Sequence, residues 1–280
     1  MYAIADLLKQ ISFPKIMGIL NITADSFSDG GSYLDPESAL NHARLMIAQG
    51  VDIIDIGAES TRPGARMISA AEEWQRIEPV LKALKQEHPE IQVSIDTQKS
   101  SVASQTIALG ADIINDISAL TWDPELAMVL NRNPQVKIIL MHMQGRPETM
   151  QLNPQYNDVV AEVLDYLKAR IEFAVEHGIK PENIMIDPGI GFGKTLEHNL
   201  ELLLHLDRFK ELGVSIVLGA SRKSFINGIS KSAPDERLGG SLATTTLASL
   251  SMVDIIRVHD VMAHRQYLNV LKALRDKGSR

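Results

Sequence analysis

Asn183-Ile184-Met185-Ile186-Asp187, a glycine-rich turn to Thr195, an apolar-periodic run over 196–212, Gly213, and then Val214-Ser215-Ile216-Val217-Leu218 make one strand–helix–strand unit. The strand segments are short apolar runs with little alternation, the pattern of strands buried on both faces in a parallel sheet. Gly213 stands where a helix end calls for a left-handed residue before the next strand begins. Outward from this unit the same rhythm predicts strands over 16–20, 52–56, 91–95, 112–114, 137–141 and 254–258. The helices between them are predicted over 36–49, 70–87, 99–109, 124–130, 158–177, 238–251 and 261–274. Gly50, Gly110 and Gly178 repeat the role of Gly213 and are read as structural. Eight βα units without a polar linker or low-complexity segment match a (β/α)8 TIM barrel, one domain over 1–280 with 1–14 as an N-terminal extension. A doubly wound open sheet is the alternative.

The choice of architecture decides what the polar residues can do together. Five apolar runs end in a charged or amide group: Asp96, Asn115, Asp187, the Ser221-Arg222-Lys223 segment, and Arg257 with His259. A barrel gathers these ends on one rim together with Asn21, Thr61, Arg62 and His142, whereas an open sheet spreads them along a line. Asp96 and Asp187 read as site carboxylates, since a buried acid at a strand end needs a partner to stay ionised. Lys223, Arg257 and His259 read as a cationic half, the last two sharing a face by alternate spacing. Met141, Met143 and Met17 are core or pocket wall, with Met141 taken among the substrate-binding positions.

Composition narrows the function classes. At 280 residues the chain can bury roughly three quarters of its unfolded surface without a metal or disulfide. It has no cysteine, which excludes thiolate zinc, iron–sulfur ligation and thiol nucleophiles. A net charge of −7 without a basic, aromatic-interleaved tract argues against a nucleic-acid surface, and 5% aromatic content argues against a large stacking platform. The first fifteen residues carry Asp6, Lys9 and Lys15 with no continuous apolar run, so a soluble, cytoplasmic protein is expected.

Three loops stand out. The segment Asn21 to Gly31 is long, polar and small apart from Phe27, which suits a mobile lid better than a plain surface turn. Glu59-Ser60-Thr61-Arg62-Pro63-Gly64 sets a guanidinium on a rigid turn beside hydroxyls, a combination that suits phosphate oxygens; a surface salt bridge is the bland alternative. Asp187 to Thr195 looks like a P-loop, but Gly189 to Gly193 leaves three intervening residues where four are needed, so nucleotide triphosphate binding is rejected. His88, His177, His198 and His205 fall on helices or their ends and are given no chemistry. No histidine–carboxylate cluster has zinc spacing, whereas magnesium carried in on a phosphate needs no such motif.

Together these segments resemble the dihydropteroate synthase family over residues 15–275. The resemblance rests on N-x-T-x-D-S-F-S-D-G-G from Asn21, E-S-T-R-P-G from Glu59, S-I-D-T around Asp96 and I-N-D-I around Asn115. It continues through M-H-M-Q-G from Met141, D-P-G-I-G-F-G-K-T from Asp187, G-x-S-R-K-S-F from Gly219 and R-V-H ending at His259. Ala24 departs from the proline many members carry. The resemblance implies the same barrel, a homodimer, and a reaction joining a dihydropterin methyl diphosphate to para-aminobenzoate with release of diphosphate. It implies that Asp96, Asn115, Asp187 and Lys223 hold the pterin, that Thr61, Arg62, Arg257 and His259 hold the diphosphate, and that Asn21 meets its magnesium. Phe27, Pro63, Phe192, Ser221, Arg222 and Lys223 then surround the aminobenzoate, with Asp96, Lys223, Arg257 and His259 carrying the chemistry. Two rivals share the pterin pocket: a corrinoid methyltransferase, which has no use for a diphosphate clamp or lid, and a non-catalytic relative, which should have lost groups that this sequence keeps.

Overall fold

The computed structural model describes residues 4–22, 36–60 and 67–278. Eight parallel strands, β1 (Lys15–Asn21), β2 (Ile53–Gly57), β3 (Gln92–Asp96), β4 (Ile113–Asp116), β5 (Lys137–Met141), β6 (Ile184–Asp187), β7 (Ser215–Leu218) and β8 (Ile255–Val258), pair in chain order. Strand β8 pairs back onto β1, from Lys15 with Ile255 to Gly18 with Val258, so the sheet is a closed barrel and the open alternative falls.

The continuous apolar runs serve two cores at once. Met17, Ile53, Ile113, Ile139, Met185, Val217 and Ile255 meet inside the barrel, while their neighbours Ile16, Ile54, Ile114, Ile138, Ile184, Ile216 and Ile256 face the helices. At the N-terminal end Asp52, Asp112 and Asp254 each accept the backbone N–H of a neighbouring strand, from Ile16, Val93 and Ile216 at 2.7, 2.8 and 2.8 Å. These carboxylates tie neighbouring strands from just outside β2, β4 and β8.

Ten α-helices are described: α1 (Ile4–Gln10), α2 (Pro36–Ala48), α3 (Ala70–Glu87), α4 (Ser100–Ala108), α5 (Glu125–Asn131), α6 (Val159–Glu176), α7 (Leu196–Leu204), α8 (Ser224–Ile229), α9 (Leu238–Leu250) and α10 (Val261–Gly278). Two differences from the sequence reading matter. The helix expected over 196–212 is α7 followed by a tight 3-10 segment, Leu206–Leu212, whose three-residue repeat lets Leu206 and Phe209 bury on one face. Helix α8 was not anticipated, being shorter than the pattern can resolve. The N-terminal extension contains α1, which packs on α10, and Ser12 N–H donates to Ser249 at 2.9 Å.

Candidate active site

Alternation along each strand turns one residue in two into the barrel. At the C-terminal mouth this brings Asn21, Asp96, Asn115, Met141, Asp187 and Arg257 onto the inner rim, with Lys223 and His259 just beyond the ends of β7 and β8. His142, expected on the same rim, does not belong there: one residue past Met141, it faces the helix layer. It is buried, edge-on to Tyr166 at 4.9 Å between ring centres, and its Nδ1 meets Lys194 Nζ at 2.9 Å. Thr61, Arg62, Pro63 and Phe27 lie outside the described residues.

The centre of the mouth is one guanidinium between two acids. Arg257 Nε donates to Asp55 Oδ2 at 2.6 Å and Nη2 to Asp96 Oδ2 at 2.9 Å. Burial pushes the Asp96 carboxyl up to about 7 against the pull of Arg257, with the charges of Asp55, Glu73 and Asp116 adding to the rise. Burial also raises Asp187, although its Oδ1 accepts the Gly189 N–H at 2.7 Å and Lys223, Arg257 and Lys194 oppose the shift. Lys223 is lowered to about 8 by burial and by Arg257, against Asp187 and Asp96, and its Nζ lies 3.9 Å from the centre of the Phe192 ring.

His259 corrects the expected cationic triad. Burial, with Arg257 and Arg222 adding, lowers its imidazole to about 3, so it is neutral at pH 7. Its Nδ1 lies 3.1 Å from Ser221 Oγ, which also accepts the His259 backbone N–H at 3.2 Å. Arg222 is likewise engaged elsewhere: with its backbone at φ 57°, it pairs with Asp260, Nε to Oδ2 at 2.9 Å, and its N–H donates to Ser241 Oγ at 2.9 Å.

Opposite the charges lies an apolar wall. Met141 and Phe192 pack with Ile117 and Met150, and Met143 and Trp122 border them, whereas Met17 belongs to the barrel interior. The mouth is thus a cleft in which acids, an amide and a lysine surround the central guanidinium, beside thioether and aromatic faces. Such a cleft suits a flat heterocycle whose edge offers N–H donors and a carbonyl. Near Asn21 the fit to a cation is narrower. A Cβ on Gly57 would stand 3.5 Å from Asn21 Oδ1 and 3.6 Å from Asp96 Oδ2, so both oxygens border the end of β2. Among the described residues no group of three or more His, Cys, Asp or Glu could hold a metal. Asn21 Oδ1 is an oxygen of the kind that magnesium carried in on a phosphate would meet.

The P-loop-like run has a structural purpose. Lys194 is buried and its Nζ reaches the carbonyls of Gly189 and Phe192, each at 2.9 Å, as well as His142, latching the turn that carries Asp187 and Phe192. Sequence reasoning missed Asp55, Ile117 and Gly57. For Asp55 a signal existed: it interrupts Ile53-Ile54-Asp55-Ile56, a carboxylate inside an apolar run instead of at its end.

Comparison with known proteins agrees with this geometry. A family described as pterin binding enzyme matches residues 17–259. A dihydropteroate synthase from Synechocystis sp. is 45% identical over 260 residues, 92% of this chain and 89% of the relative. The solved Yersinia pestis dihydropteroate synthase, in a sulfonamide drug complex, superposes with a TM-score of 0.88 at 40% identity, covering 94% of each chain. The Xanthomonas albilineans dihydropteroate synthase with 4-aminobenzoic acid gives 0.87 at 41% identity, over 94% of this chain and 93% of that one.

Proposed function

The chain belongs to the pterin-binding enzymes as a dihydropteroate synthase, and we propose that its barrel mouth performs the condensation by charge stabilisation at Asp96. The enzyme joins (7,8-dihydropterin-6-yl)methyl diphosphate to para-aminobenzoate, giving dihydropteroate and diphosphate. The observation that supports the assignment of roles is the convergence of Asp96, Asn115, Asp187, Lys223 and Arg257 at one mouth beside the Met141–Phe192 wall.

The pterin edge lies against Asp96, Asn115 and Asp187, with Lys223 on its carbonyl and its face on Met141 and Phe192. Diphosphate leaves from the methylene carbon with the bonding pair, and the delocalised pterin cation left behind faces ionised Asp96. Arg257, His259, Thr61 and Arg62 bind the departing oxyanions, His259 as a neutral hydrogen-bonding group in the free enzyme. Asn21 would hold magnesium at this end, and the ion would supply charge neutralisation to the leaving group. The aniline nitrogen then bonds to the methylene carbon and, acidified by bonding, loses its proton to water or diphosphate. Ser221, Arg222, Phe27 and Pro63 surround the aminobenzoate, where sulfonamides compete.

The direct test mixes the protein with both substrates and magnesium. Dihydropteroate and diphosphate should appear in equal amounts; pterin binding without diphosphate release would instead indicate a non-catalytic relative. Omitting magnesium while following substrate binding by calorimetry tests the Asn21 site, where Asn21→Ala should weaken binding of the diphosphate ester and leave binding of the free pterin unchanged. The enzyme is further proposed to work in the cytoplasm, in keeping with its acidic, cysteine-free composition, and as a homodimer. Exposed Leu204 and Ile229, at 67% and 63%, offer apolar surface for such an assembly. Sedimentation should give twice the 30.9 kDa chain mass.

A further inference from the structure

Asp55 sits one layer below the groups that meet the substrate. Its side chain points into the barrel from β2 with 0% exposure, and its Oδ2 takes Arg257 Nε at 2.6 Å and Asn115 Nδ2 at 3.4 Å. Its Oδ1 is buried and has no hydrogen-bond partner among the described residues. Burying a carboxylate with one oxygen unpaired is costly, and a buried ion pair replaced as a whole by well-packed hydrophobic residues is commonly neutral or better. Stability therefore does not account for Asp55.

We propose that Asp55 is a positioning residue for the condensation, the fixed counter-charge that holds Arg257 and Asn115 beneath the pterin and keeps the guanidinium from closing fully onto Asp96. The proposal rests on the dihydropteroate synthase reading of the site. Arginine presents its donors in a planar fork that matches a carboxylate with two parallel bonds. Here the fork is divided, Nε to Asp55 and Nη2 to Asp96. Without Asp55 both arms are free to turn onto Asp96, and a carboxylate gripped at both oxygens has less field left for a developing cation. Asn115, whose amide nitrogen also leans on Asp55, loses the same support.

The arrangement leaves a pH signature. Asp96 faces Asp55 on β2, Arg257 on β8, Asp116 on β4, Glu73 on α3 and Lys223 beyond β7. Neutralising Asp55 removes a negative neighbour and hands Arg257 to Asp96, and both changes make Asp96 easier to ionise. Asp55→Asn should thus ionise Asp96 at lower pH and yet use it less well.

The test measures kcat and kcat/KM across roughly pH 5 to 9 for the wild type and Asp55→Asn, with circular dichroism as the check on folding. The plateau of kcat should fall about ten- to hundred-fold, the acid limb of kcat/KM should move below its wild-type position near pH 7, and KM for para-aminobenzoate should stay within about two-fold. A wild-type plateau in the variant overturns the proposal. So does a lowered plateau with an unmoved limb, the mark of a purely structural role. If the variant does not fold, Asp55→Glu replaces it: charge kept and position shifted, it should lower kcat with the limb in place and KM for para-aminobenzoate within about two-fold, and either wild-type turnover or a KM that rises along with the fall in kcat overturns the proposal. A wild-type protein that makes no dihydropteroate defeats the parent reading as well, an outcome distinct from the others.

Discussion

At Asp96 the same burial that raises the carboxyl to about 7 makes its charge pH-dependent where the enzyme works. The ionised form faces the pterin cation, so kcat/KM, which reports the free enzyme, should rise with pH through about 7 and level above it; below that value the proton removes the stabilising charge. Asp96→Asn should fold normally, lose on the order of 10²-fold in kcat and show no acid limb at that position. Near-normal turnover in that variant, measured under saturating substrates, would refute the role. The residue types at this site were legible because each breaks an apolar run at its C-terminal end: Asp96, Asn115, Asp187, Lys223 and Arg257 all do. Charge state was not legible. His259 reads as a cation beside Arg257 until burial and two guanidiniums are placed around it, and these come from neighbours in space. Side-chain direction at His142 could have been read by counting from Met141, since alternate residues face opposite sides of a strand.

Between β6 and α7 the turn carrying Asp187 and Phe192 has no room for error. Gly189 adopts φ +69°, and a Cβ there would lie 1.9 Å from the His142 carbonyl oxygen. Gly189→Ala therefore forces β5 and β6 apart at the mouth and should cost about 3 kcal/mol or more in thermal or denaturant unfolding, with pterin affinity falling too. Lys194→Met keeps the length of the side chain but removes the donor shared by Gly189, Phe192 and His142. It should cost about 1–3 kcal/mol for the groups left unpaired, and weaken pterin binding through Phe192 more than it weakens aminobenzoate binding. Calorimetry with a pterin fragment separates the two, and unchanged pterin affinity in a folded variant would show that the latch serves the core alone. Element order and type were legible because strand and helix periodicities differ; helix α3, read to its ends, is capped by Ser69, whose hydroxyl accepts the Glu72 N–H at 3.2 Å. The break after Leu204 was not legible, since the apolar spacing of Leu206 and Phe209 suits either kind of helix.

Across the whole barrel, polar groups are sorted by end. At the C-terminal mouth buried Asp55 and Asp187 stand with half-buried Asp96 and Arg257 at an electrostatic cost, and Asp55 Oδ1 has no hydrogen-bond partner among the described residues. At the opposite end Asp52, Asp112 and Asp254 accept strand N–H groups from positions that still reach water, where a charge is inexpensive. Barrels of this kind place chemistry at one face and stability at the other, so substitutions at the two ends should dissociate the two properties. Asp112 accepts both Val93 N–H and Lys85 Nζ at 2.8 Å through one oxygen. Asp112→Ala leaves that N–H and that ammonium to partly accessible solvent, a loss of about 1–2 kcal/mol. In a chain of this size that amounts to a fall in Tm of about 2–8 °C. Because strand pairing through β3 and β4 persists on both sides of the lost contact, Asp96 and Asn115 at the far ends of those strands should keep their register. The expected result is a less stable enzyme with kcat and both KM values within about two-fold of wild type. A ten-fold loss of kcat with Tm unchanged would mean that the N-terminal carboxylates act on the mouth through the strands, and the division of labour between the two ends would not hold for this barrel.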